Sequence, residues 1–182
     1  MVHEHRHKGK SSERFVSQEA VLEALDIRPG QTIVDAGCGN GYMAKAFAKQ
    51  LGNSGKVFAV DPDEKAIETL QNEIGGLPIE AMAADITRPL AIDSLSVNLI
   101  YLSTVMHGFS KEQIQNFQKE VHRLLKPGGW LAVVEIKKEK TPFGPPMEIR
   151  FSPEDLKNNI HMVPGRLVEA GEYFYMQIFE KG

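Results

Sequence analysis

The chain has 182 residues, 42% of them hydrophobic and 25% charged, which fits one globular domain able to bury about 70% of its unfolded surface. A lone cysteine, Cys38, excludes an internal disulfide and a Cys-based zinc cluster, and it suits a reducing, cytoplasmic setting. Lys plus Arg number 21 against 24 Asp plus Glu, a formal charge of -3 that gives no global attraction for nucleic acid or anionic lipid, and no apolar run approaches the roughly 18 residues of a membrane helix.

The chain opens on a polar head in which His3, His5 and His7 alternate with Glu4 and Arg6. Residues 1–16 are expected to form a mobile arm, which fixes no geometry for a metal, so no metal site is assigned. Residues 17–182 make the single domain. Ser17 reads as the N-cap of a first helix that ends before Pro29-Gly30. Thr32 to Ala36 is a buried strand, followed by a Gly-rich turn and a helix over Tyr42 to Leu51, where Met43, Phe47 and Leu51 share a face and Gly52 ends it. Lys56 to Val60 is the second strand, Pro62 to Ile74 a helix, and Ile79 to Ala83 the third strand.

A loop expected to hold a short helical turn leads to Asn98 to Ser103, a continuous apolar strand of the kind buried on both faces. Ser110 to Gln113 is a capping box for a helix carried by Phe117, Val121 and Leu124 as far as Lys126, and Pro127-Gly128-Gly129 stops it. Trp130 to Ile136 is the fifth strand, and Ser152-Pro153 opens a short helix. Strands separated by helices imply a doubly wound α/β sheet of the Rossmann-like kind, mostly parallel, with helices on both faces. Arg166 to Ala170 and Tyr173 to Glu180 break the rhythm and should close the sheet as an antiparallel hairpin, giving seven strands.

Val34-Asp35-Ala36-Gly37-Cys38-Gly39-Asn40-Gly41 lies where the first strand turns into a helix, the place where an open parallel sheet binds a nucleotide-like ligand. The third glycine of the dinucleotide pattern would fall at Tyr42, so the pyrophosphate fingerprint fails. A diphosphate beside Asp35 would be repelled, whereas an ammonium or sulfonium would be attracted. Asp61, at the end of the second strand, suits a ribose, whose hydroxyls a carboxylate accepts.

This acidic residue followed by Gly-x-Gly-x-Gly resembles motif I of class I S-adenosylmethionine-dependent methyltransferases. Ala84-Asp85-Ile86 and Leu124-Leu125-Lys126-Pro127-Gly128-Gly129 are similar to two further stretches of that family. The head, with Ser-Glu-Arg at 12–14, together with Gly144-Pro145-Pro146 and Ser152-Pro153-Glu154, resembles a compact subgroup similar to ubiquinone and menaquinone biosynthesis methyltransferases. The resemblance implies a seven-stranded sheet with an antiparallel last strand and S-adenosylmethionine as cofactor. It implies a cofactor site drawn from Asp35, Gly37, Cys38, Gly39, Gly41, Asp61, Pro62, Asp85, Ile86 and Ser103, with Asp85 and Ile86 at the adenine. Asn98 stands where many relatives carry Asp. Ser103-Thr104-Val105 replaces the signature of amino-methylating enzymes, which disfavours an exocyclic amine as acceptor.

Methyl transfer from a sulfonium is a direct displacement that asks for alignment more than for a covalent nucleophile. A base is needed only where the acceptor still holds a proton, and His107, after the fourth strand, is the candidate, with Glu135 at the end of the fifth. Lys137, Lys138 and Lys140, with Arg150, are candidates for a cationic mouth that would favour an anionic acceptor. Phe15 and Tyr42 are candidates to face a sulfonium, with core or helix packing as their default reading. The expected function is methyl transfer to a small molecule at an O, C, N or S atom that stays open. The alternatives are a binding module without turnover and a nicotinamide-dependent oxidoreductase. The oligomeric state is not legible.

Overall fold

The computed structural model describes residues 12–182. Seven strands, β1 (Thr32–Ala36), β2 (Lys56–Asp61), β3 (Ile79–Ala83), β4 (Val97–Ser103), β5 (Leu125–Ile136), β6 (Val163–Gly171) and β7 (Phe174–Glu180), form one sheet in the order β3-β2-β1-β4-β5-β7-β6. The first five pair in parallel, and β7 runs antiparallel to both β5 and β6. The expected doubly wound architecture with its closing hairpin is present.

Neighbouring residues of a strand face opposite sides, and each side has its own core. Ile33, Val57, Leu99 and Tyr101 pack beneath α1 (Gln18–Leu25), α2 (Tyr42–Leu51) and α3 (Glu64–Glu73). Val34, Val60, Ile100 and Leu131 pack beneath α4 (Lys111–Leu124) and α5 (Pro153–Asn159). Burial on both faces is the reason these central strands read as unbroken apolar runs.

Side chains stop and start the helices as the sequence suggests, with local exceptions. Ser17 accepts from the Ala20 amide at 3.2 Å, and Ser110 and Ser152 each anchor a reciprocal capping box, with Gln113 and with Asp155. The third helix begins at Glu64 and not at Pro62, because Asp63 is the cap and accepts from the Lys65 and Ala66 amides. The β3–β4 loop contains no helix; its bend is a turn closed by the Arg88 amide on the Asp85 carbonyl at 2.9 Å. Strand β6 starts at Val163, ahead of the expected Arg166, through a bulge between Pro164 and Leu167.

The Lys126-Pro127-Gly128-Gly129 stretch does not follow the helix as a stop. Helix α4 ends at Leu124, Leu125 pairs with Val97 and Trp130 with Leu99, so the four residues between them bulge out opposite Asn98. Gly128 takes φ 72° there. Asn98 explains its own presence: its Oδ1 accepts from the Thr32 amide at 2.9 Å and from Lys126 Nζ at 3.1 Å, tying the bulge to the start of β1.

The expected mobile arm needs a correction at its end. Ser12–Arg14 form a 3-10 turn, Val16 is buried, and the Ser17 amide donates to the Ala170 carbonyl at 2.7 Å, so the chain is packed onto the body before α1 begins. His3, His5 and His7 lie outside the described residues. Among the described residues no helix is long and apolar enough to cross a membrane.

Candidate active site

The β1–α2 turn is a left-handed path that side chains other than hydrogen adopt at a cost. Gly37, Gly39 and Gly41 have φ of 72°, 52° and 73°. At Gly37 a Cβ would lie 2.5 Å from Val105 Cγ2, and at Gly41 it would strike the Leu70 methyl groups; at Gly39 it would meet nothing within 4 Å. The outer two glycines therefore serve close packing, and the middle one faces open space. The Gly37 and Cys38 amides both donate to the Val60 carbonyl, at 2.7 and 3.0 Å, which lashes the turn to β2. Cys38 is buried, and burial pushes its thiol far up, so it contributes shape and backbone, not nucleophilicity.

Two carboxylates flank this turn and differ in their surroundings. Asp61 is held on both oxygens: Oδ2 accepts from the Gly39 amide and Oδ1 from the Asp63 amide, each at 2.9 Å. A carboxylate offers about four lone-pair positions, so each oxygen keeps one for an incoming hydroxyl. Asp35 is 2% exposed and its Oδ2 has no hydrogen-bond partner. Burial pushes its carboxyl up to about 7; the Ala44 amide in the first turn of α2 pulls it down, and the Asp61 charge pushes it further up. Its register partner on β4, Tyr101, also has a buried hydroxyl without a partner.

An orphaned carboxylate oxygen, a second carboxylate clamped in place and an open glycine between them fit S-adenosylmethionine: a cationic donor for Asp35, hydroxyls for Asp61, and room at Gly39. Pro62, exposed, follows Asp61 at the rim. Asp85 lies beyond β3, with Thr87 donating to its Oδ1 from both amide and hydroxyl at 2.8 Å. Ile86 is buried in the second core, where it backs the adjacent Asp85 turn.

The β4–β5 half is assembled differently. Ser103 ends β4, Thr104 adopts φ 57° with its amide on the Val134 carbonyl, and Val105 leans on Gly37. This left-handed turn aims the chain into the 3-10 turn Met106–Gly108. There His107 Nδ1 lies 2.8 Å from Glu135 Oε2, and the His107 amide donates to Oε1 at 3.3 Å. The two side chains are 6% and 0% exposed.

Three of the four cations of the expected mouth, Lys137, Lys138 and Arg150, are engaged within the protein itself. Lys137 pairs with Glu169 and donates to the Glu172 carbonyl, and Lys138 donates to Asp155, whose carboxyl is held down at about 2 by Lys138 and by Ser152. Arg150 is buried, and its guanidinium donates to the carbonyls of Pro145, Lys137, Glu139 and Phe143. It shapes the 137–150 loop from inside. A guanidinium five residues from the nearest of those carbonyls gives no periodic signal, so the sequence could not announce this role.

The N-terminal strap is the other feature that sequence reasoning missed. Glu13 Oε2 accepts from Asn40 Nδ2 in the glycine turn at 3.2 Å, while the Phe15 ring packs 4.3 Å from Phe143 of the 137–150 loop. Phe143 also meets Tyr173 and Phe174. Phe15 is thus a packing residue, and the only sequence signal for the strap was an aromatic in an otherwise polar head.

Comparison with known proteins agrees with this geometry. A family model described as a methyltransferase domain matches residues 33–129, more than half of the chain. The ubiquinone/menaquinone biosynthesis C-methyltransferase UbiE of Hydrogenovibrio crunogenus is 32% identical over 130 residues, which cover 66% of this chain and 48% of that protein. The chain thus spans about half the length of that relative. Among solved structures, a SAM-dependent methyltransferase from Aquifex aeolicus aligns over 94% of this chain and 93% of its own, with a TM-score of 0.82 and 27% identity. A type 11 methyltransferase from Sulfolobus solfataricus shares the fold at a TM-score of 0.75 over 91% and 92% of the two chains, with 22% identity. The chain belongs to the class I S-adenosylmethionine-dependent methyltransferase family, similar to UbiE.

Proposed function

We propose that this chain transfers a methyl group from S-adenosylmethionine to a small-molecule acceptor in the cytoplasm. The observation that carries the reading is the orphaned Oδ2 of buried Asp35 beside an Asp61 locked by two backbone amides. Asp35 would hold the cationic amino acid end, and Asp61 the ribose. The Asp85 turn with Ile86 and the chain at Pro62 would border the adenine. Gly37, Cys38, Gly39 and Gly41 give the backbone path, and Ser103 borders the cofactor from β4. When bound, the cofactor supplies an electrophilic methyl group. The protein's own part is to align the acceptor and exclude water. The C-methyltransferase activity in the name of the UbiE relative supports carbon among the possible acceptor atoms, which also include O, N and S.

Calorimetry with S-adenosylmethionine, S-adenosylhomocysteine and NAD, followed by transfer of labelled methyl to a metabolite panel, tests the reading. Binding of the first two with label leaving on a metabolite is expected. Binding of NAD alone would overturn it, and S-adenosylmethionine binding with no transfer to any metabolite would make the chain a binding module.

A further inference from the structure

Among the described residues three buried side-chain atoms have no hydrogen-bond partner: Asp35 Oδ2, Tyr101 Oη and Gln177 Oε1. The first two belong together. Asp35 on β1 and Tyr101 on β4 are register partners, so their side chains rise from the same face of the sheet beneath α2, where Phe47 holds the Tyr101 ring edge-on at 5.2 Å. Ser103 stands two residues further along β4 on that same face, half-buried at the end of the strand. Burial pushes the Tyr101 hydroxyl up, Ser103 pulls it part of the way back, and Asp35 and Tyr42 push it up again, so the phenol keeps its proton and stays a donor.

The glycine turn opposite has little to offer an anion. Five of its six amides from Gly37 to Tyr42 are engaged inside the protein: Gly37 and Cys38 on the Val60 carbonyl, Gly39 on Asp61, Gly41 on the Cys38 carbonyl at 2.8 Å and Tyr42 on Asn40 Oδ1 at 3.2 Å. The Ala44 amide is drawn to Asp35, and Lys45, the cation next along α2, pairs with Glu73. The amino acid end of S-adenosylmethionine carries an ammonium and a carboxylate on one carbon. Asp35 suits the first and repels the second, so a donor is needed close beside it, and the hydroxyls of Tyr101 and Ser103 are the donors that β4 brings to that face.

We infer that Tyr101 and Ser103 form a hydroxyl relay that reads the carboxylate of the cofactor: once it is bound, Ser103 Oγ donates to the carboxylate and Tyr101 Oη donates to Ser103 Oγ. The inference rests on the methyltransferase reading above and adds a specificity-determining pair to it. Ser103 makes the contact. Tyr101, enclosed, is a positioning residue that turns the Ser103 proton outward, since a hydroxyl that accepts one proton directs its own elsewhere. No covalent bond changes. The relay gives the orphaned phenol its task and makes the site demand a complete amino acid end. β4 thus serves the cofactor half as far as Ser103, and the acceptor half begins at the left-handed Thr104.

The test is calorimetry of the full chain with S-adenosylmethionine and with decarboxylated S-adenosylmethionine, which lacks only the carboxylate. Tyr101→Phe should weaken S-adenosylmethionine about 10-fold or more and the decarboxylated form less than about threefold. Ser103→Ala should show the same selective loss. The double variant should lose less than about threefold beyond Ser103→Ala alone, because the phenol acts through the serine. Without any ligand, Tyr101→Phe should melt at or above the wild-type temperature, since it removes a buried hydroxyl that bonds to nothing in the free chain. Equal losses on the two ligands, no loss on either, additive losses in the double variant, or a melting temperature more than about 3 °C lower in Tyr101→Phe would overturn the inference alone. Failure of the unaltered chain to bind S-adenosylmethionine would overturn the underlying reading as well.

Discussion

The two halves of the site are built on different principles. The β1–β2 half is local: an acidic residue, three glycines and the next acidic strand end, held by backbone amides within one short stretch and the strand beside it. The β4–β5 half is made of pairs that meet only in three dimensions, His107 with Glu135, Arg150 with the carbonyls at 137 and 139, and Phe15 with Phe143. Damage to the first half should therefore fall on the cofactor, and damage to the second on the acceptor side, with cofactor affinity left nearly intact.

Gly37→Ala should break the contrast most severely. A methyl group at φ 72°, 2.5 Å from Val105, strains the backbone and pushes the two halves apart at once. A loss of about 2 to 5 kcal/mol in stability is expected, with cofactor affinity down more than about 100-fold, read by denaturant titration and calorimetry.

Asp35→Asn should separate stability from binding. The Asp35 carboxyl sits at about 7 when folded against an ordinary 3.8, so the folded chain holds this proton more tightly than the unfolded one. Its stabilising contribution is full below 3.8 and is lost as pH rises through about 7, up to about 4 kcal/mol. The variant should lose this decline, melting higher than wild type at pH 8 and close to it at low pH. Its S-adenosylmethionine affinity should fall by about 1.5 to 3 kcal/mol, and in the wild type that affinity should rise with pH through about 7, since the cation prefers the ionised carboxylate.

Arg150→Met sharpens the other side of the comparison. Four carbonyls would lose their donor, and about 2 to 3 kcal/mol of stability should go with them, while cofactor affinity changes less than about threefold. The smallest effect is expected at Lys138→Ala. The side chains of Lys138 and Asp155 are 37% and 38% exposed, so water screens the pair and stability should move by less than about 0.5 kcal/mol in a thermal melt, and Ser152 should keep α5 capped.

These contrasts follow how much of each half was legible in the chain. Val34-Asp35-Ala36-Gly37 announced its turn because left-handed backbone and close approach leave a chemical trace in the residues themselves: only glycine is at ease there. Ser110 and Ser152 likewise announced their helices, since a cap is satisfied within three residues. Where a nearby residue could do the same task the boundary slipped, as when Asp63 capped α3 and moved its start from the expected Pro62 to Glu64.

His107 and Glu135 were named from the sequence as separate candidates, but nothing in the chain said that they touch. The cations at 137, 138 and 150 looked like a patch, because spacing shows charge and hides its partners; the fold gave each a carbonyl or a carboxylate instead. The bulge at Lys126 to Gly129 resembled a plain helix stop until Asn98 of β4 and Lys181, just past the end of β7, held it.

By itself the sequence determined the sheet class, the order of helices and strands, and the cationic-ligand character of the glycine turn, because these depend on periodicity and on backbone freedom over a few residues. Tertiary structure alone decided that Asp35 is buried with one oxygen left without a partner, that a histidine and a glutamate form one unit, and that the arginine braces a loop from within. Solvation and pairing at those positions are properties of what surrounds a group, and the surroundings come from distant parts of the chain.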